Sequence, residues 1–438
     1  MVRLNSVSAV GVRERRVDGA GSHFGAHVPP PLSTALNVLL AEFASLPGAA
    51  SIAALEGAQL LLERMLCTGG PWRDGCSPSG ACRFVATADG MLAVNLPRHS
   101  DWELLAAWLE ADADGTWSWP RLNQAVRERA TQSLVERARL LGLAVAATRN
   151  ALEGCGHSGI CSLSMAHPSI VVDGDPLGDC RNLKPKPGPP LVLDLSALWA
   201  GPLCGHLLWL CGGRVIKVES TERPDGARFG NADFHALLNQ GKRSVALDFG
   251  APGDLALLRG LVEKADIVIE SSRPRALRQL GIKAEEWVRR RAGRTWISIT
   301  GYGRDGVGAD RIAFGDDAGV AAGLADLMRA ATGTYQFAGD AIADPLTGVE
   351  AARAAWLSWL GGGSRLISLS LAGVAGSMLA RQIDESGSDA LIGSARRWWR
   401  AARLGRATEG LERRAPSAPV SDSGADTVAV LQELNGPC

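Results

Sequence analysis

From Pro190 onward the chain alternates short apolar runs of β type with segments of helical period, and this alternation restricts the fold more than any other feature. LVLDLS (191–196), RVIKVE (214–219), SVALDF (244–249), DIVIES (266–271) and TWISITGYG (295–303) are the β-type runs. Between them lie segments such as PGDLALLRGLVEKA, whose Leu255, Leu258 and Val262 share one helical face. Strands that alternate with helices are joined by right-handed crossovers, which build a largely parallel sheet covered on both sides. The expected class is therefore α/β: a large domain with a mostly parallel, helix-covered sheet plus a smaller α+β domain. In such a sheet a ligand site lies beyond the carboxyl ends of the strands.

The rest of the 438 residues divides by texture, and two domains are the natural expectation at this length. Residues 1–30 are polar, contain Gly and Arg and end in PPP, and are expected to be a mobile tail. Residues 31–147 are expected to form the small α+β domain. ALNVLLAEFASL, AALEGAQLLLERML, DWELLAAWLEAD and SLVERARLLG have helical spacing, and CRFVATADGMLAVNL reads as a hairpin turning at Asp89–Gly90. Residues 148–189 are dense in turn formers and predict a linker; 190–384 hold the large domain. LTGVEAARAAWLSWLGGG reads as a helix closed by glycine, and RLISLSLAGVAGSML as a last strand and helix. Residues 385–438 are expected to be an Arg- and Ser-rich connection ending in the short helix GADTVAVLQEL.

Lys plus Arg (46) balances Asp plus Glu (46), so no basic field attracts nucleic acid and a small-molecule partner is expected. The start lacks an apolar signal core and no segment offers about 18 uncharged apolar residues, so no membrane span and a cytoplasmic location are expected. Nine cysteines are an odd number in a long chain, which favours reduced thiols. Cys76 with Cys82, and Cys155 with Cys161 around His157, are spaced too widely for a zinc site, and no metal is expected.

No G-x-G-x-x-G, Walker or G-x-S-x-G sequence occurs, which argues against dinucleotide, NTPase and serine-hydrolase chemistry. His206 and His235 have no evident nucleophile beside them and are read as packing or surface residues. Gly201 and Gly205, in SALWAGPLCGHLL, fit either a turn that approaches a ligand or close helix–sheet packing. RIAFGDDAGVAAG (311–323) places the adjacent carboxylates Asp316 and Asp317 in an apolar run at the start of a helix expected to run through DAGVAAGLADLM. An N-cap accounts for one of them. The other, in a glycine-lined apolar pocket, is a candidate nucleophile or base.

Taken in order, VLDLSALWAGPLCGHLL, RVIKVES, NQGKRSVALDF, ADIVIESSRPRAL, ISITGYGRDG, RIAFGDD, GDAIADPLTG and ISLSLAGVA resemble the class III CoA-transferase family, over residues 191–375. TADGMLAVNLPRHSDWELLAAWLE with LVERARLLGLAVAA is similar to the family's small domain, here placed ahead of the large one as in a permuted chain.

The resemblance implies an acyl-CoA:carboxylate CoA-transferase in which an Asp attacks the thioester, giving a mixed anhydride and then an aspartyl-CoA thioester. Counting along the motif permits Asp316 or Asp317, with Asp316 favoured. It further implies CoA contacts at Ala200, Gly201, Lys217, Glu219, Asn239, Lys242, Arg243 and Arg273. Coenzyme A thioester is then a substrate, no cofactor is held permanently, and a homodimer is the expected assembly. The racemase branch carries a His just before its Asp; Phe314–Gly315 stand there in this chain, which favours transfer. Ser271 and Ser272 replace the family's usual Asn and Phe, so a CoA-binding paralogue without catalysis is the remaining alternative.

Overall fold

The computed structural model describes residues 27–112, 116–148, 169–174, 177 and 188–435. Cys155, His157 and Cys161 lie outside the described residues, as does nearly all of the expected tail. The large sheet contains β4 (Ile170–Asp173), β5 (Leu191–Leu195), β6 (Arg214–Ser220), β7 (Arg243–Leu247), β8 (Ile267–Glu270), β9 (Thr295–Thr300) and β10 (Arg365–Ser370), in the order β4-β10-β9-β8-β5-β6-β7. Every pair is parallel except β4 with β10. The class is α/β, as the alternation predicts.

The chain runs outward from β5 through β6 to β7, then returns to lay β8, β9 and β10 on the other side of β5. The order therefore reverses between β5 and β8, and the crossovers leaving these two strands diverge, opening a crevice at their carboxyl ends. Val192, Leu193, Ile267, Val268 and Ile297 are fully buried, as the continuous apolar runs of a sheet covered on both faces require.

The second sheet is antiparallel: β1 (Cys82–Ala86), β2 (Met91–Asn95) and β3 (Ala144–Ala147), order β1-β2-β3. The hairpin turns at 87–90, where it was expected, and packs on Trp108, Leu122, Val126 and Leu134 as a core of its own. The helices Ser33–Ala44, Gly57–Leu61 and Glu63–Thr68 pack elsewhere: Leu36, Leu39, Phe43 and Leu60 join the core around the helices Ala343–Leu360 and Leu371–Ser386. Residues 31–147 thus divide their packing between both sheets. Apolar spacing shows that a helix has a buried face and not which body buries it.

Three further differences have local causes. β4 falls in the expected linker and pairs with the free edge of β10. The helix Ser388–Arg403 falls in the expected connection; its Leu391, Ala395, Trp398 and Ala402 are buried at spacings of four and three, a stripe hidden by the arginines between them. DAGVAAGLADLM is two helices, Gly315–Ala321 and Leu324–Thr332, because Gly323 turns left-handed at φ 98°. No helix among the described residues is long and apolar enough to cross a membrane.

Candidate active site

Two cavities adjoin at the carboxyl edge of the large sheet. The smaller, about 240 Å³, is lined by Ala197 and Leu198 after β5, Ser271, Ser272 and Arg273 after β8, Thr300 and Gly301 at the end of β9, and Arg311. It occupies the reversal point of the strand order. The larger, about 600 Å³, is lined by Arg64, Asn95, Trp199, Phe234, Asp316 and Ala341. Arg98, Leu198, Phe314 and Asp344 line both.

Close backbone approaches bring these walls together. Gly348 in the helix Ala343–Leu360 faces Ala200, where an added Cβ would lie 2.7 Å from the Ala200 carbonyl oxygen. The first turn of that helix, with Asp344, is thereby held beside the turn that follows β5. A Cβ on Gly315 would collide with the Ala341 carbonyl and the Asp344 carboxylate, so only glycine lets the Asp316 helix start against this loop. Leu198 and Ala341 hold φ of 69° and 47°. Such left-handed geometry is costly in residues with a Cβ and persists where the surroundings over-determine it. Each of these two amides is bound by a carboxylate: Leu198 N–H donates to Asp225 (2.9 Å) and Ala341 N–H to Asp316 Oδ1 (2.8 Å).

The paired carboxylates have different surroundings. Asp317 is wholly buried and lines neither cavity. Its Oδ1 accepts the Phe314 N–H (2.9 Å), capping the helix, and the Asn95 side-chain amide from β2 (2.9 Å), which ties the small sheet to the helix start. Asp316 borders the larger cavity. Burial and the neighbouring Asp340 push its carboxyl up to about 7, against the pull of Arg64 and the Ala341 N–H. Asp344, half-buried, accepts the Gly315 N–H (3.1 Å). Its enclosure raises it to about 7 against Arg64. Burial lifts Asp317 to about 6, partly offset by Asn95 and Phe314.

Both cavity carboxyls thus hold a proton up to a higher pH in the folded chain than their ordinary 3.8. The stability they contribute is complete below about pH 4 and is lost as pH rises through about 7. Asp344→Asn, whose side-chain oxygen still accepts the Gly315 N–H, is expected to raise Tm at about pH 8 and leave it unchanged at about pH 4. Thermal melts at the two pH values measure this, and a lower Tm at the higher pH would refute it.

Residues 191–397 match the model of CoA-transferase family III. The match spans less than half of the 438-residue chain. Among its curated relatives, succinate–glutarate CoA-transferase of Agrobacterium fabrum is 32% identical over 222 residues, covering 47% of this chain and 55% of the relative. Succinyl-CoA–D-citramalate CoA-transferase of Chloroflexus aurantiacus is 35% identical over 131 residues, 28% of this chain and 33% of the relative. Human alpha-methylacyl-CoA racemase is 32% identical over 115 residues, 26% and 28% respectively. The chain thus spans about half or less of the length of these relatives.

Within the matched segment, the positions tied to CoA by resemblance separate into two groups. Ala200 and Arg273 line the smaller cavity. Lys217, Glu219, Asn239 and Lys242 are buried and bound to one another's neighbours. The Lys242 ammonium donates to Asp194 (2.8 Å), the Pro202 carbonyl (2.7 Å) and Asn239 (3.2 Å), which uses all three of its protons. Lys217 pairs with Asp225 (2.9 Å) and donates to the Ser196 carbonyl (2.9 Å); Glu219 pairs with Arg228. Asp194, flanked by Lys242 and Lys217, stays below the usual carboxylate range in spite of its burial. Gly201 packs on Ser196, and Arg243 pairs with Glu433 of the C-terminal helix (2.5 Å). These groups hold the β5–β6–β7 turns in place. His206 and His235 are both buried, and burial lowers both.

Cations that do meet open space are arginines at the rim. Arg273, exposed, is held below its usual value by partial burial and by the charges of Arg275, Arg98 and Arg223. Residue types alone gave no role to Arg64, Asn95, Asp340 or Asp344. Asp340 and Asp344 stand in GDAIADPLTG, and Arg64 was visible as a cation inside the apolar helical stretch LLLERML.

Proposed function

We propose that the protein is an acyl-CoA:carboxylate CoA-transferase with Asp316 as nucleophile. The Asp316 carboxylate attacks the thioester carbonyl and expels CoA thiolate, leaving a mixed anhydride. The thiolate then attacks the aspartyl carbonyl and releases the donor acid, leaving an aspartyl-CoA thioester from which the acceptor carboxylate takes CoA. Covalent catalysis of this kind replaces one difficult exchange with easier steps. The observation that carries the reading is that, of the adjacent pair, Asp316 borders the cavity while Asp317 is committed to Phe314 and Asn95.

Incubation with an acyl-CoA and neutral hydroxylamine tests it: the expected product is a hydroxamate on Asp316, located by peptide mass spectrometry. A hydroxamate on Asp317, or none while CoA exchange proceeds, would sink the assignment. A second reading, α-proton chemistry on an acyl-CoA, is favoured by one observation, the second carboxyl of Asp344 on the same cavity. Solvent exchange at the α-carbon without CoA exchange would select it.

The arginines around the smaller cavity support placing the CoA phosphates there, since guanidinium groups bind phosphate bidentately. Arg273→Ala is expected to raise the CoA Kd about tenfold and to flatten its salt dependence. Titration at two ionic strengths reads both, and an unchanged Kd would move the phosphates elsewhere. The unit carrying β1–β3 is read as the family's small domain moved ahead of the large one, and the assembly as a homodimer.

A further inference from the structure

The larger cavity has a feature that the transfer chemistry leaves unassigned. Arg64 enters it from the helix Glu63–Thr68, outside the matched segment 191–397. Its Nε donates to Asp340 Oδ2 (2.8 Å) and its Nη2 pairs with Asp340 Oδ1. That occupies one edge of the guanidinium. Among the described residues Nη1 has no protein acceptor, and the side chain remains 28% exposed on the cavity wall. Its Cζ lies 5.2 Å from the centre of the Trp199 ring, within range of a cation–π attraction.

The other cation on this wall, Arg98, is tied to Asp101 in the same way, through Nε (3.0 Å) and Nη2 (2.5 Å), but it also lines the smaller cavity with Arg273 and Arg311, among the arginines read above as receiving the CoA phosphates. Asp316 and Asp344 border the same space, so an incoming carboxylate meets like charge unless a cation receives it. The free edge of Arg64 can do so, and one free edge suits one carboxylate. Beside the polar Thr68, Ser79, Asn95 and Asn231, the wall carries an aromatic face: Trp199 and Phe234 meet edge to face at 4.8 Å, and Phe314 stands on the boundary of the two cavities.

We propose that Arg64 anchors the carboxylate of the acceptor, and that the acceptor is a monocarboxylate whose apolar body lies on Trp199, Phe234 and Phe314. This rests on the transferase reading above. It differs from the dicarboxylates in the names of the transferase relatives.

The test is calorimetric titration of the full chain, without CoA, using 3-phenylpropanoate and glutarate as probes. Saturable binding of 3-phenylpropanoate is expected, at least about tenfold tighter than glutarate. Arg64→Gln is expected to weaken it by about tenfold or more. Because that variant leaves Asp340 buried without its cation, the double variant R64Q/D340N, which removes the unpaired charge, is titrated beside it and is expected to lose the same affinity. Native affinity in the folded double variant, glutarate binding as tight as 3-phenylpropanoate, or no saturable binding to the native chain would each overturn the proposal. No CoA is present, so a failed hydroxylamine trap with this binding pattern intact would remove the transferase reading and leave the carboxylate site standing.

Discussion

Asp316→Asn is expected to abolish the hydroxylamine-sensitive adduct and to reduce CoA exchange by on the order of 10³-fold or more, because an amide cannot form the anhydride. The fold should survive, since the amide oxygen still accepts the Ala341 N–H that Asp316 Oδ1 now binds and a buried charge is removed. Asp317→Ala should behave in the opposite way. It strips the acceptor from the Phe314 N–H and the Asn95 amide, at about 1–3 kcal/mol for each donor left buried and unpaired. Adduct formation in the fraction that stays folded should persist. Urea unfolding with adduct mass spectrometry separates the two carboxylates. An Asp316→Asn protein that still forms the adduct, or an Asp317→Ala protein that is fully stable and inactive, would reverse their roles.

The second large effect lies away from the cavities. Lys242→Met leaves Asp194 buried beside Ser196 with one of its two cations gone. Removing one member of a buried pair costs about 3–5 kcal/mol, chiefly through the uncompensated charge. The midpoint of denaturation should fall accordingly, while the CoA Kd of the folded fraction stays within about twofold. Lys242→Met/Asp194→Asn should recover part of the loss, because the stranded carboxylate is gone. If instead CoA affinity dropped about tenfold at unchanged stability, Lys242 would be a phosphate ligand and the buried network incidental.

These contrasts show where residue types were informative. The β-type runs after Pro190 were readable because strands covered on both faces must be apolar almost throughout, whatever packs on them. Their parallel pairing followed from the helices between them, and the location of the ligand crevice followed from that pairing. The amphipathic segments 35–44 and 133–141 appeared as helices for the same local reason, one apolar face per 3.6 residues. The doublet Asp316–Asp317 stood out because apolar neighbours make a carboxylate costly unless something compensates it.

Other features needed distances between residues far apart in the chain. Lys217 lies within β6 and Lys242 just before β7, and a cation there can as well face a phosphate as a buried Asp; they pair with Asp225 and Asp194, which no spacing in the sequence indicates. Arg64 and Asp340 are 276 residues apart and meet only when the N-terminal helices dock on the large sheet's helices. The stripe of Ser388–Arg403 was hidden by its arginines until Trp398 met Trp72, 4.9 Å between ring centres.

The sequence by itself determined the α/β class, the parallel sheet and the loop that carries the adjacent carboxylates, because periodicity and burial cost are properties of consecutive residues. Tertiary structure alone decided which of the two carboxylates borders open space, which cations are free and which unit buries the first helices. Those depend on desolvation and charge pairing between segments, and desolvation is set by what surrounds a group in space rather than by what precedes it in the chain.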